Sequence, residues 1–116
     1  MDRSDAGPCP EATIEFVFRT EGAERLGFPS IVGSGPNSTV LHYDKNRRRT
    51  TDGDLVVVDI GAEWGYYTAD VTRTFPVNGR FTDRRRAIYD LVLGAQQAAI
   101  DAIGMVLAIE PGRSKH

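Results

Sequence analysis

Residues 54–75 read DLVVVDIGAEWGYYTADVTRTF. Two β-prone runs flank a glycine-bearing turn, and each run carries one carboxylate, Asp59 and Asp70. A hairpin centred on Trp64-Gly65 is predicted, and it places Asp59 directly opposite Asp70. Directly opposed residues share a face, with Cβ atoms about 4.5–5.5 Å apart. Two carboxylates on a half-buried face do not both stay as bare anions at neutral pH. Either one keeps its proton or a cation lies between them, and hard divalent ions take such oxygen ligands. The alternative is a pair of strand-end carboxylates facing solvent.

The alternation supports the hairpin. Leu55, Val57 and Asp59 share one face, and Asp70, Thr72 and Thr74 fall on the same face of the return strand. β-Branched and aromatic residues dominate both runs. The apolar run at 55–58 suggests a first strand buried on both faces. A one-residue slip would send Asp70 to the other face, so the cation reading depends on register.

Downstream, Pro76 and Asn78-Gly79 end the strand. Thr82 or Asp83 is the predicted N-cap of a helix running to about Ile103. Ile88, Leu91, Val92, Ala95, Ala99 and Ala102 form its apolar stripe. Arg84, Arg85 and Arg86 crowd the helix start against the dipole, with Asp83 and Asp90 as compensating anions. Upstream, DKNRRRTTDGD is a polar loop whose basic cluster reads as a solvated face. FPSIVGSGPNSTVLHY reads as strand, glycine-rich turn and second strand, with His42 at the second strand's end. The turn has no GxGxxG and no following Lys-Ser/Thr, so it is no phosphate cradle. EATIEFVFRTEGAERLG mixes strand and helix periodicities; early acidic residues and Gly22 favour helix. Residues 1–10 read as a disordered N-terminal segment.

At 116 residues the chain has room for one small domain. A net charge of −2 gives no reason to expect nucleic acid or an anionic membrane as partner. No apolar run has the length of a spanning helix. Cys9 is the only cysteine, which excludes an internal disulfide and fits a reducing, cytoplasmic setting.

The stretch DGDLVVVDIGAEWGYYTADVTRTFPVNGRF closely resembles the first metal-ligand segment of the pita-bread metallopeptidases, the aminopeptidase P, prolidase and creatinase family. The likeness extends upstream through GFPSIVGSGPNSTVLHY and downstream through the helix. It implies an α+β fold, the first half of a pita-bread domain: a curved antiparallel sheet with flanking helices over residues 11–116. It implies Asp59 and Asp70 as metal ligands, and His42, in the LHY motif, as a catalytic residue that binds substrate and not metal. It implies two divalent ions, manganese first, with cobalt or zinc as alternatives, and peptides with proline after the first residue as substrates.

The chain departs from the family pattern at its end. GMVLAIEPG resembles a later family segment in which the Glu is a metal ligand and proton carrier, a role carried to Glu110. The stretch that normally intervenes, with the metal-binding His, is absent, as is a second Glu ligand. A deletion junction is therefore expected at 103–104. Two readings follow: a Xaa-Pro aminopeptidase- or dipeptidase-like hydrolase that is incomplete in this chain, or a non-catalytic pseudo-enzyme acting as a binding or assembly module. Half of a sheet would leave an apolar face and an open edge, so a homo-oligomer is a further expectation.

Overall fold

The computed structural model describes residues 10–109, with side chains over 10–103. Cys9, Glu110 and most of the proposed N-terminal disordered segment lie outside the described residues. The chain forms two compact units, residues 1–80 and 81–116.

The first unit opens with helix α1, Pro10–Thr20, so the N-terminal segment assigned to 1–10 gives way to helix at Pro10. Proline suits the first helical turn, where its missing N–H has no partner to lose. Gly22, at φ 98°, lets the chain leave the helix and enter β1, Arg25–Leu26. Next come β2, Ile31–Ser34, and β3, Leu55–Ile60. The hairpin arm β4, Ala62–Trp64, and β5, Tyr67–Thr68, follows, then β6, Val71–Pro76. Two antiparallel three-stranded sheets result, with strand orders β1-β4-β5 and β2-β3-β6. The long hairpin of the sequence thus exists but bends at Gly61 and at Ala69–Asp70, so that its tip belongs to one sheet and its base to the other.

The register differs from the one read from sequence. The turn is centred on Gly65 and Tyr66, at φ 55° and 65°, the two left-handed residues of a tight hairpin turn whose twist matches its strands. Trp64 pairs with Tyr67, and Asp59 faces Thr72 rather than Asp70. The shift is two residues, so the pleat keeps Asp70 on the parity of Thr72 and Asp59. The Arg25 guanidinium lies over the Tyr66 ring, 5.5 Å from its centroid, a cation–π contact. Arg25 Nε also pairs with Glu63 at 2.8 Å.

A second difference concerns residues 35–42. In place of a second strand there is a 3₁₀ helix, Gly35–Thr39, followed by a turn. Gly35 takes φ 53°, and Pro36 fixes the first turn. Ser38 Oγ donates to Gly35 O at 2.7 Å and Thr39 Oγ1 to Pro36 O at 2.9 Å. Local side-chain bonds of this kind satisfy the backbone without a ladder. His42 therefore sits in a turn, at φ 53°, and not on a strand.

β3 is half-buried along its whole length rather than fully buried on both faces. Val32 is the buried apolar residue among those described, beside three buried polar ones, Ser30, Ser34 and Asn46. The core of this unit is thus thin and partly polar.

The second unit carries helix α2, Asp83–Ile109, which continues past the Ile103-Gly104 position to Ile109. Thr82 is its N-cap, accepting from Arg85 N at 3.4 Å. Arg86 pairs with Asp90 at 2.9 Å, which offsets the cationic helix start. Phe81 stacks on Tyr89 with ring centroids 4.8 Å apart. Of the predicted apolar stripe, Ile88, Leu91 and Val92 are exposed.

Candidate metal and peptide site

An open cleft of about 450 Å3 lies in the first unit, lined by Phe28, Pro29, Ile31, His42, Asp44, Asp59 and Asp70. It brings together three of the four residues singled out from sequence. The fourth, Glu110, lies outside the described residues.

Each element places its residue by a different means. Asp59 is on the central strand β3, flanked by Ile31 on one side and Thr72 on the other. Its place is therefore fixed by two ladders. Asp70 is fixed by the bend between the sheets. Gly27 N donates to Gly61 O at 2.9 Å and Ala69 N to Ala62 O at 3.0 Å, tying both sides of the bend. A Cβ on Gly61 would lie 1.9 Å from Ala69 O and 2.7 Å from Phe28 Cε1. Only glycine permits the 69–70 backbone to come that close, and Asp70 reaches the cleft through this approach.

His42 and Asp44 come from the loop after the 3₁₀ helix. Asp44 is the cleft residue that sequence reading passed over, because its neighbours in DKNRRR presented it as one charge of a solvated loop. The same loop contains a second network that sequence gave no sign of. Arg48 Nη1 bonds Asp54 Oδ2 at 2.5 Å and Ser34 Oγ at 3.1 Å. Thr51 N adds a bond to the same Asp54 oxygen at 2.8 Å. The Arg48 hydrogen bond first, and then that of Thr51, lower the Asp54 pKa from 3.8 to about 2.

One atom in the cleft stands out. Asp59 Oδ1 is buried and has no hydrogen-bond partner. A buried acceptor without a donor is costly, and a carboxylate oxygen in that state is chemically suited to a cation. The donor set around it, carboxylates with no Lys or Arg among the cleft residues, fits a hard divalent ion. Its number is short of a closed site: among the described residues no three His, Cys, Asp or Glu side chains converge closely enough to hold a metal. Asp59 and Asp70 would form one wall of such a site, and no reaction step can be written through these residues alone.

Known proteins share both the sequence pattern and the fold of this chain. Residues 11–104 match the model of metallopeptidase family M24. The chain belongs to that family. Over 90 residues it is 46% identical to the Xaa-Pro aminopeptidase of Escherichia coli, which is 78% of this chain and 20% of that enzyme. Over 89 residues it is 44% identical to Xaa-Pro aminopeptidase 3 of Rattus norvegicus, 77% of this chain and 18% of the rat protein. Among solved structures, the Pseudomonas aeruginosa aminopeptidase PepP superposes with a TM-score of 0.76 at 48% identity, covering 78% of this chain and 21% of that one. A zinc-substituted E. coli aminopeptidase P in complex with product gives 0.74 at 46% identity, over 76% and 20%. The fold is thus α+β and corresponds to part of the pita-bread domain. The chain spans about a fifth of the length of these relatives.

Proposed function

We propose that this chain carries the first half of a Xaa-Pro aminopeptidase site: a divalent cation held by Asp59 and Asp70, and a cleft for the N-terminal end of a peptide with proline in second place. The observation that carries this reading is the buried, unpartnered Oδ1 of Asp59 in a cleft shared with Asp70 and His42. Phe28, Pro29 and Ile31 offer an apolar wall for the peptide's side chains. His42, on the exposed rim, would hydrogen-bond a peptide carbonyl, and Asp44 adds negative charge suited to a peptide ammonium. The ion, when bound, would polarise the scissile carbonyl and lower the pKa of a coordinated water. Manganese suits a carboxylate site best, with cobalt and zinc as alternatives. Hydrolysis needs further ligands than the described residues supply. Glu110, in its IEPG run, is the candidate third ligand and proton carrier.

The absence of a three-ligand cluster among the described residues favours a second reading, a non-catalytic binding or assembly module. Titration calorimetry with manganese on the chain and on Asp70→Ala separates the readings, followed by hydrolysis of a short Xaa-Pro peptide. Binding lost in the variant, with metal-dependent cleavage, establishes the peptidase. Binding without cleavage establishes the module. No binding by a folded chain removes the metal reading.

A further inference from the structure

The Asn46 side chain makes three hydrogen bonds in the first unit. It is buried, with 8% of its surface exposed, and it stands in the left-handed region at φ 46°. Its Oδ1 accepts from Val32 N at 2.8 Å. Its Nδ2 donates to Ser30 O at 2.7 Å and to Glu11 Oε1 at 2.6 Å. The backbone partners fix the amide's orientation, since an N–H can only donate and a C=O can only accept. One side chain thus gives the outer edge of β2 the bonds that a neighbouring strand's peptide group would give, and ties the same point to helix α1.

The segment it anchors carries two cleft residues. Positions 43–50 belong to no helix, strand or turn. They are held through side chains: Asn37 Nδ2 donates to Tyr43 Oη at 3.0 Å, Arg48 bonds Ser34 and Asp54, and Asn46 makes the three bonds above. Asn46 lies four residues after His42 and two after Asp44. It joins them to β2, whose Ile31 pairs with Asp59 and also lines the cleft.

We infer that Asn46 is a positioning residue for the peptide-facing rim of the cleft. It sets the distance of His42 and Asp44 from the aspartate wall without touching any ligand, and through Glu11 it makes that distance depend on the docking of α1. The inference deepens the peptidase reading, because the use of the rim rests on it, but the placement of His42 is measurable without metal or substrate.

The test is NMR of the full chain, metal-free, as the native sequence, as Asn46→Ala, as Asn46→Asp, and as Asn46→Asp combined with Glu11→Gln. In Asn46→Ala the Val32 amide should exchange about tenfold or more faster. The His42 ring and Asp44 amide signals should leave their native positions, while the Asp59 and Gly61 amides keep theirs. Native His42 and Asp44 signals in a folded Asn46→Ala chain overturn the inference and leave Asn46 a stabilising residue only. At neutral pH, Asn46→Asp sets a carboxylate against Glu11 and the Ser30 carbonyl and should displace the rim in the same way. Glu11→Gln restores a donor across the contact and should return His42 and Asp44 toward native positions. Failure of that rescue also overturns the inference, including where Asn46→Ala does not fold. Manganese affinity, measured in parallel, should be the same in the native chain and in folded Asn46 variants. If the native chain binds no manganese, the metal reading fails while the His42 measurement still decides this one.

Discussion

The two walls of the cleft are built in different ways. Asp59 and Asp70 stand on or beside strands, where ladders and one obligatory glycine dictate their positions. His42 and Asp44 stand on a loop that is held by side-chain amides, a guanidinium and a carboxylate. The ladder-built wall tolerates surface change and fails at one steric point. The side-chain-built wall depends on several bonds, each sensitive to chemistry and pH.

The largest effect should break the first wall. Gly61→Ala forces a Cβ onto the Ala69 carbonyl and should cost about 4 kcal/mol, enough to remove most of the stability of a small domain. Urea unfolding followed by circular dichroism would measure it. A loss below about 1 kcal/mol would mean that the bend is soft and that Asp70 is not held by it. Next comes the second wall. Asn46→Ala leaves Val32 N and Ser30 O buried without a partner, for a loss of about 2–3 kcal/mol in the same assay.

A smaller change of opposite sign belongs to the aspartate wall. Asp59→Val replaces an unpartnered buried oxygen with a strand-favouring apolar side chain. It should raise the metal-free stability by about 1 kcal/mol while abolishing manganese binding, as expected where a site is kept at the expense of stability. Equal destabilisation with and without metal would show that Asp59 is a structural residue.

The smallest effect is acid sensitivity of the loop. The folded-state pKa of Asp54, about 2, is below its ordinary 3.8. Its stabilisation is complete above about pH 4 and is lost as pH falls from there towards 2. Arg48→Ala should flatten this limb of the stability–pH curve, which thermal melts between pH 2 and 5 would record. An unchanged limb would mean that Thr51 N–H alone sustains the shift.

This contrast also explains what could be read in the sequence. The period-two pattern and the turn glycine revealed the β3–β6 hairpin and both aspartates, because ladders repeat. The register came out two residues off, because a turn at Gly65-Tyr66 puts a tyrosine where the left-handed region favours glycine or asparagine. Parity still put Asp70 on the right face. The strand expected to end in His42 is a 3₁₀ helix and a turn, since Ser38 and Thr39 bond their own backbone, an interaction with no periodic signature. Asn46, Asp44 and the Arg48–Asp54 pair were hidden in a run of polar residues. The partners of Asn46 lie up to 35 positions away, at Glu11, and Arg48 also reaches Ser34, 14 positions upstream; such pairings leave no local pattern. The deciding signals for the family were the spacing of Asp59 and Asp70 and the DVTRTFPVNG run that the second begins, and the M24 match covers that stretch.

The amide of Asn46 has a consequence for how molecules of this chain could join. In the β2-β3-β6 sheet it closes the margin beside β2, whereas the outer margin of β6 is paired with no strand among the described residues. A sheet with two open margins can polymerise without end. With Val32 N and Ser30 O both bonded to Asn46, a strand adding beside β2 would first have to displace that side chain. The side chain that sets the rim of the cleft therefore also guards the margin beside β2 against an added strand.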